Sequence, residues 1–362
     1  MAGLRTPLCE LLGIEVPIVQ APMASTSTPD LAVAVSEAGG LGSLGHAYTQ
    51  PDAMRAEAAA IRARTARPFN LNLFAAPQPE EPPLAQQAEA IATMRPVLEQ
   101  HGVTVPPRVP PPYAPDLALQ LEAVCDLRPP VFTIHLGEIP PTMLARIRGL
   151  GIRLGSAATS VREARYFEGL GADFIIAQGG EAGGHRGTFL GSWEHAMTGT
   201  LALVRQVVRA VRVPVVAAGG IMDGAGIAAV LALGAQAAQL GTAFVVCPES
   251  AAPDVHRKAI TAMDGDETTI TRAFSGKPAR GVRNRFTEMA EREGWPLLPF
   301  PAQNKLTVPL RQASAKAGSA DFYAAWSGQA GSLARPLPAA ELMRVLVEET
   351  REAIDRLRRV AP

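Results

Sequence analysis

Short apolar runs that alternate with helical patterns constrain the fold of this 362-residue chain more than any other feature. We predict eight β-strands from such runs, at residues 16–20, 41–44, 69–74, 131–136, 152–156, 174–178, 213–218 and 237–241. Helical patterns follow most of these runs, as in parallel β/α units. Eight such units predict a (β/α)8 TIM barrel with no unit left over. An open, doubly wound sheet is the alternative.

Two segments interrupt this alternation, one after the third predicted strand and one after the eighth. Residues 76–128 are rich in proline around a helical pattern at 84–100, and residues 248–310 are polar. Because loops that follow barrel strands lie where active sites form, we predict that both segments build a smaller helical lid subdomain rather than a peripheral decoration. The barrel would then comprise residues 1–75 and 129–247, and residues 311–362 would close it with helices.

The composition argues against several classes of function. Lys plus Arg and Asp plus Glu both total 34, so a net charge of zero gives no bulk attraction to nucleic acid or to an anionic membrane. The three cysteines are far apart, which argues against a disulfide framework, and no zinc-type spacing occurs. The uncharged stretch 225–247 reads as a buried helix, a glycine turn and a buried strand rather than a membrane span. We expect a cytoplasmic protein without a signal peptide or a metal site.

Residues 178–187, which follow the sixth predicted strand, contain five glycines and His185. Glycines allow a backbone to approach a ligand closely. The histidine can take up or release a proton near neutral pH. In isolation this segment is as compatible with a tight turn that holds a structural histidine as it is with a functional loop. Its place at the end of a barrel strand favours a cofactor loop that carries its own base.

The ends of the seventh and eighth predicted strands carry small residues suited to an anion. Gly219 and Gly220 follow the seventh strand, and Gly241 and Thr242 follow the eighth. Such residues expose backbone N–H groups at close range, and barrels often bind phosphate at this position. We therefore predict that these residues bind the phosphate of a cofactor.

Three other strand ends carry groups suited to a flat polar ring. The backbone of residues 21–23 can meet the ring edge after the first strand. Asn70 and Asn72 share one face of the third strand, where asparagine is unusual, and this suggests a polar ligand. An internal hydrogen-bonded pair is the alternative for the two asparagines. Gln178, at the end of the sixth strand, can both donate and accept hydrogen bonds, as a flavin ring requires.

Seven motifs together resemble the class I nitronate monooxygenases, formerly called 2-nitropropane dioxygenases. In chain order they are QAPM (20–23), FNLNLF (69–74), AQGGEAGGHRG (177–187), AAGGIMDG (217–224), QLGTAF (239–244), SGKPARG (275–281) and WSGQ (326–329). They extend over nearly the whole chain. EAGGHRG with AAGGIMDG indicates the superfamily, within which flavin-dependent enoyl-acyl-carrier-protein reductases and some quinone reductases have a similar histidine loop.

The resemblance implies a TIM barrel that binds FMN non-covalently beneath a smaller helical domain. It implies that His185 is the catalytic base. It also implies that the substrates are alkyl nitronates, notably propionate 3-nitronate, which molecular oxygen converts to a carbonyl compound with nitrite or nitrate. The partners would be small molecules, and the chain a monomer or homodimer. The residues that match the flavin-binding positions of the family are Ala21, Pro22, Met23, Asn72, Gln178, Gly183, Gly220, Gln239, Leu240, Gly241 and Thr242.

The predicted lid departs from the family pattern at residues 298–305, which contain no tyrosine. Related enzymes place tyrosines and a lysine in this region to meet an anionic substrate. Tyr113, Gln303 and Asn304, with Lys305 beside them, are the polar candidates for substrate contact here. The alternative enzyme is an NAD(P)H-dependent flavin reductase of the enoyl-acyl-carrier-protein reductase or quinone reductase type. The alternative that is not an enzyme is a barrel that only binds FMN.

Overall fold

The computed structural model describes residues 4–76 and 80–360, and it contains two β-sheets. The strands are β1 Ile18–Gln20, β2 Gly42–Gly45, β3 Phe69–Phe74, β4 Val131–His135, β5 Arg153–Ala158, β6 Phe174–Gln178, β7 Gly184–His185, β8 Val215–Ala218, β9 Ala237–Leu240, β10 Thr268–Thr271 and β11 Ala279–Val282. The larger sheet has eight parallel strands in the order β1-β9-β8-β6-β5-β4-β3-β2. A parallel bridge between Val19 and Leu41 joins its two ends. The predicted TIM barrel is therefore confirmed.

All eight predicted strands are present, with small differences at their ends. Strands β1 and β8 each begin two residues later than predicted, directly after Pro17 and Pro214. Proline has no N–H group to donate to a sheet ladder, so it favours a strand that starts after it. The sequence pattern thus places the barrel strands well, and proline chemistry explains these differences.

Helices surround the barrel and also form the layer above its carboxyl-terminal end. They are α1 Pro7–Leu12, α2 Pro29–Glu37, α3 Pro51–Arg62, α4 Leu84–Gln100, α5 Leu117–Leu127, α6 Pro141–Gly149, α7 Val161–Gly169, α8 Thr200–Ala210, α9 Gly224–Ala232, α10 Thr242–Val245, α11 Asp254–Thr261, α12 Arg285–Arg292, α13 Ala302–Lys316 and α14 Ala339–Val360. Helix α14 packs against α2 and α9 on the outside of the barrel.

The lid has a hydrophobic core of its own, separate from those of the barrel. Met94 and Leu98 of α4 pack there with Phe286 of α12 and with Leu306 and Leu310 of α13. Two observations correct the predicted boundaries of this subdomain. Helix α5 lies within the predicted insertion but packs with α3 in a barrel core. Residues 311–316 continue the lid helix α13, although the sequence placed them with the closing helices.

The uncharged stretch 225–247 forms most of α9, the turn at Gly234, β9 and α10. This agrees with the predicted helix, turn and strand. Among the described residues, the structure has no helix long and apolar enough to cross a bilayer.

The second sheet, which the sequence did not predict, links the barrel to the lid. It is antiparallel, and its order is β10-β11-β7. Ala279 of β11 pairs with His185 of β7, and Arg280 pairs with Gly184. A strand of two residues carries no periodicity that a sequence pattern can reveal. The SGKPARG motif therefore supplies the strand that holds the histidine loop.

Candidate active site

A cavity of about 1050 Å³ lies where the carboxyl ends of the barrel strands face the lid. Ligand pockets usually measure roughly 300–1,000 Å³, so this one has room for a large cofactor. Its wall includes the predicted residues Ala21, Pro22, Met23, Asn72, Tyr113, Gln178, Gly183, His185, Gly219, Gly220, Gln239, Gly241, Thr242 and Asn304. Within the described ranges, no cluster of three or more His, Cys, Asp or Glu side chains is arranged to hold a metal ion.

Two predicted site residues do not reach this cavity. The Leu240 side chain is buried in the hydrophobic core that α9 and α14 share, while its carbonyl accepts a hydrogen bond from the Ala21 N–H at 2.8 Å. Gln303 is fully buried inside the lid. Its amide nitrogen donates to the Ala273 carbonyl at 2.8 Å, and its amide oxygen accepts from the Leu298 N–H at 3.0 Å. The prediction that Gln303 contacts substrate is therefore wrong, because both ends of its amide stabilise the lid.

His185 lies at the cavity wall, held at its backbone by β11 and at its ring by Ser275. His185 Nε2 is 2.9 Å from Ser275 Oγ, and the same hydroxyl donates to the Lys277 carbonyl at 3.1 Å. A serine hydroxyl has one proton to donate, so Ser275 accepts from His185 Nε2–H. The lone pair of the neutral ring is then on Nδ1, which no described residue hydrogen-bonds. The ring can therefore accept a proton at Nδ1.

Aromatic rings surround His185 on three sides. The ring centroids of Phe74, Phe300 and Trp326 lie 5.6, 5.5 and 5.6 Å from that of His185. Burial lowers the pKa of His185 to about 3, and the nearby His135 and Lys277 act in the same direction when charged. His185 is consequently neutral at neutral pH. A negative charge in the cavity would raise this pKa and strengthen the ring as a base.

The backbone of the histidine loop is fixed from below by Gln178 and His135. Gln178 Nε2 donates to the His185 carbonyl at 3.0 Å, and its Oε1 accepts from the Gly187 N–H at 2.8 Å. His135 Nε2 lies 3.1 Å from the same His185 carbonyl. The Gln178 side chain thus positions the loop, and its predicted contact with a flavin stays a prediction.

Arg186 binds the backbone of the same loop from inside the protein. Its side chain is buried and donates to the carbonyls of Gln178 at 2.6 Å and Gly179 at 2.7 Å, and also to that of Ala196. The sequence pattern did not single out this residue, because an arginine beside glycines is usually exposed. The contacts show that it ties the end of β6 to the segment before α8.

We expect Arg186→Met to destabilise the fold by roughly 3 kcal/mol, because it removes charged hydrogen bonds to three backbone carbonyls. Unfolding in urea, followed by fluorescence, measures this change. Arg358→Met is the matched control, since Arg358 is exposed and its ion pair with Asp355 lies at the surface. The control should change the free energy of unfolding by less than about 0.5 kcal/mol. Equal effects of the two substitutions would contradict the assigned role of Arg186.

The strand ends predicted to bind phosphate form a cradle of glycine backbone. Gly219 and Gly220 have φ values of +115° and +70°, which non-glycine residues rarely adopt. A side chain at Gly183 would place its Cβ only 2.5 Å from the Gly328 N atom. Gln239 Oε1 is buried without a hydrogen-bond partner among the described residues. An unpartnered buried acceptor beside an open backbone fits a polar cofactor at this place.

The two asparagines of β3 have different surroundings. Asn70 Nδ2 donates to Ser43 Oγ at 3.2 Å and Thr133 Oγ1 at 3.0 Å, and Asn70 does not line the cavity. Asn70 therefore serves internal hydrogen bonding and not a ligand, although its partners are Ser43 and Thr133 and not Asn72. Asn72 donates to the Thr133 carbonyl at 3.1 Å but also lines the cavity. Its amide oxygen can still accept a hydrogen bond from a ligand.

Sequence reasoning named Tyr113 and Asn304 of the lid but missed Arg311, a further polar residue that the lid contributes to the cavity. Asn304, Val308, Arg311 and Ala315 of α13 lie on one helical face and line it, at a spacing typical of a helix. Tyr48, Tyr323 and His256 also line the cavity. The i, i+4, i+7 spacing was present in the sequence. A polar segment that contains Pro309 nevertheless gave no clear sign of a helix.

His256 makes the fold sensitive to acid. Its Nε2 lies 2.9 Å from the Trp326 carbonyl, and burial lowers its pKa from 6.5 to about 4. The folded state therefore keeps the ring neutral, whereas the unfolded state takes up a proton below pH 6.5. The stability that follows is present above this pH and is lost as the pH falls towards 4.

We expect His256→Gln to flatten the fall in the free energy of unfolding between pH 7 and pH 5 by roughly 2 kcal/mol, because glutamine keeps a donor but has no titrating ring. Urea unfolding of both proteins at each pH measures the difference. His195→Gln, at an exposed histidine, is the control and should keep the slope of the unchanged chain. The assignment is wrong if the two variants behave alike.

Comparison with known proteins agrees with this geometry. The family model for nitronate monooxygenase matches residues 5–349. The chain belongs to the nitronate monooxygenase family. It is therefore an oxidoreductase, as the motifs predicted. The nitronate monooxygenase of Pseudomonas aeruginosa is 44% identical over 94% of this chain and 98% of its own length. That of Paraburkholderia phytofirmans is 43% identical over 99% of this chain and 98% of its own length.

A solved structure extends the likeness to three dimensions. The nitroalkane oxidase from Streptomyces ansochromogenes is 42% identical to this chain and aligns with a TM-score of 0.88. The alignment covers 97% of this chain and 100% of that one. The structural likeness therefore extends over both the barrel and the lid that covers it.

Proposed function

We propose that this protein binds FMN and catalyses the oxidation of alkyl nitronates, such as propionate 3-nitronate, by molecular oxygen. The products would be a carbonyl compound with nitrite or nitrate. The observation that carries this proposal is His185, a neutral ring with a free Nδ1 at the wall of a large cavity. The family match and the likeness to a nitroalkane oxidase support it.

The cavity wall provides groups suited to each part of FMN. Backbone N–H groups of Gly219, Gly220 and Thr242 would bind the phosphate. The strand end at residues 21–23, Asn72 and the Gln239 amide would meet the isoalloxazine ring. Bound FMN would supply an acceptor for the electrons of the substrate carbanion. The protein's task is then to position the substrate and to control its proton.

His185 would remove the α-proton when the substrate is a neutral nitroalkane. Nδ1 accepts this proton, while Ser275 holds the ring through Nε2–H. A nitronate has already lost that proton, so His185 would only orient it and stabilise its charge. Phe74, Phe300 and Trp326 pack around the ring, and these apolar neighbours would strengthen this electrostatic contact.

Anaerobic mixing of the flavin-loaded protein with propionate 3-nitronate tests the proposal. We expect the flavin absorbance to change rapidly with the nitronate and to return on exposure to air, with one round of nitrite or nitrate formed. NADH, added separately, should leave the absorbance unchanged over the same time. Rapid bleaching of the flavin by NADH, without any response to nitronates, would contradict this proposal and support the flavin reductase instead.

A further inference from the structure

A buried carboxylate binds the chain directly after the histidine loop, residues 178–187. Glu163 belongs to the first turn of α7 and is only 1% exposed. Its Oε1 accepts hydrogen bonds from the N–H groups of Phe189 at 2.8 Å and Leu190 at 3.0 Å. Its Oε2 accepts from the N–H and the hydroxyl of Thr159, each at 2.7 Å. Four hydrogen bonds offset the cost of burying this charge, so the carboxylate is a firm anchor.

Two threonine hydroxyls add a second contact between the same segments. Thr159 Oγ1 donates its only proton to Glu163, so it can only accept from the Thr188 hydroxyl, which lies 2.8 Å away. Both threonines are buried. The order of donation, from Thr188 to Thr159 to Glu163, is therefore fixed. It ties the chain after the histidine to the end of β5 and the start of α7.

Lys277 lies at the other end of the peptide group that joins Thr188 to Phe189. Its Nζ is 3.4 Å from the Thr188 carbonyl oxygen, while the N–H of the same peptide group donates to Glu163. An ammonium at the oxygen and a carboxylate at the N–H both match the dipole of a peptide group. Burial lowers the pKa of Lys277, and the charge of Glu163 acts in the opposite direction. The two buried charges thus stabilise one orientation of this peptide group.

Lys277 also connects this anchor to the histidine ring. Its backbone N–H donates to Ser275 Oγ at 3.3 Å, and its carbonyl accepts from the same hydroxyl at 3.1 Å. Ser275 in turn accepts from His185 Nε2–H at 2.9 Å. Thr188 follows His185 by only three residues in the chain. A shift of the peptide group after Thr188 would therefore reach the histidine along the chain and through Ser275.

We propose that Glu163 is a positioning residue for His185. Its hydrogen bonds hold the chain after the histidine, so that the ring keeps its proton on Nε2 and its lone pair on Nδ1. Glu163 does not line the cavity, so it would act through the histidine and not on the substrate. The catalytic consequence rests on the proposed function, in which the neutral ring is the base. The fixed tautomer itself does not depend on any reaction.

Oxidation of two substrates by the flavin-loaded full chain tests the catalytic consequence. For Glu163→Met, which removes both acceptors, we expect kcat for neutral 1-nitropropane to fall about 10- to 100-fold, as a slightly misplaced base would cause. For propyl 1-nitronate, which has no proton to lose, kcat should change less than about threefold, and bound FMN should stay the same. Glu163→Gln should restore part of the rate, because its amide oxygen can accept from Phe189 and Leu190 while its amide nitrogen donates to the Thr159 hydroxyl.

Two further variants separate positioning from a general loss of stability. Glu168→Gln is the matched control, since Glu168 of the same helix accepts from the N–H groups of Arg212 and Val213, before β8 and away from the cavity. The ratio of its two rates should equal that of the unchanged chain. Thr188→Val removes one hydroxyl with little change of shape, so it should fold even if Glu163→Met does not. It should lower the 1-nitropropane rate about three- to tenfold, the effect of one hydrogen bond.

NMR of the imidazole nitrogens, with isotope-labelled histidine, separates this inference from the proposed function because it needs no turnover. The signals lost in His185→Asn assign the ring. In the unchanged chain at neutral pH, Nε2 should be the protonated nitrogen and Nδ1 the bare one. In Glu163→Met the two chemical shifts should move towards each other, as the ring samples both tautomers, and in Thr188→Val they should move less.

Movement of these shifts supports the role of Glu163 even if no nitronate is oxidised and the proposed function fails. Unchanged His185 shifts in both variants would overturn the inference, whatever the chain oxidises. An equal fall of the two rates in Glu163→Met and in Thr188→Val would also overturn it, since the substitutions would then damage the site as a whole.

Discussion

His185→Asn and His185→Ala should each lower the rate of oxidation of neutral 1-nitropropane by about 100- to 10,000-fold, the usual contribution of a general base. Bound FMN should remain, because Gln178, His135 and β11 fix the loop through its backbone and not through the histidine ring. Oxidation of propyl 1-nitronate, which has no proton to lose, should fall less than about tenfold. The contrast between the two substrates identifies the base.

Oxygen uptake with each substrate, together with the flavin content of the purified variant, measures this contrast. His195→Asn, at an exposed histidine outside the cavity wall, is the matched control and should keep both rates. If both rates fall alike while FMN stays bound, then His185 orients the substrate and is not its base. If FMN is lost, the residue belongs to the cofactor site.

Gly220→Val should weaken the binding of FMN by roughly 100-fold. Gly220 has a φ of +70°, and a β-branched residue is strained there. The new Cβ would lie 3.2 Å from Glu181 Cβ, so the loop after β8 or the loop after β6 must shift. Either movement displaces the N–H groups proposed to bind the phosphate. The barrel should still fold, because the strands themselves are unchanged.

Titration of the flavin-free protein with FMN, followed by the quenching of flavin fluorescence, measures this affinity. Gly318→Val is the matched control, since Gly318 has a φ of +71°, is exposed and has nothing within 4 Å of an added Cβ. It carries the same backbone strain far from the cradle and should leave FMN affinity unchanged. Normal affinity in Gly220→Val would refute the position assigned to the phosphate.

The barrel could be predicted from sequence because each strand is short, apolar and followed by a helix, so one local pattern repeats. The strand ends then placed the glycines and His185 together without further information. The β7–β11 pairing could not be predicted in this way, since Ala279 lies 94 residues after its partner His185, and Arg280 lies 96 residues after Gly184. Long-range antiparallel pairs leave no local trace.

The lid was harder to predict than the barrel for a related reason. Gln303 and Arg311 are polar residues of one helix, and their sequence gives no sign of which one faces inward. Packing decides this: Leu306 and Leu310 turn one side of α13 into the lid core, and Gln303 goes with them. The other side, with Asn304 and Arg311, is left to the cavity.

The pairing of β7 with β11 makes the proposed catalytic histidine loop less stable than the barrel that carries it. Local opening of the lid would separate Ala279 and Ser275 from His185 while the eight barrel strands stay paired. The glycine cradle is built by the barrel and would survive such an opening. On mild heating or in dilute denaturant, proton abstraction should therefore be lost before the cofactor is released.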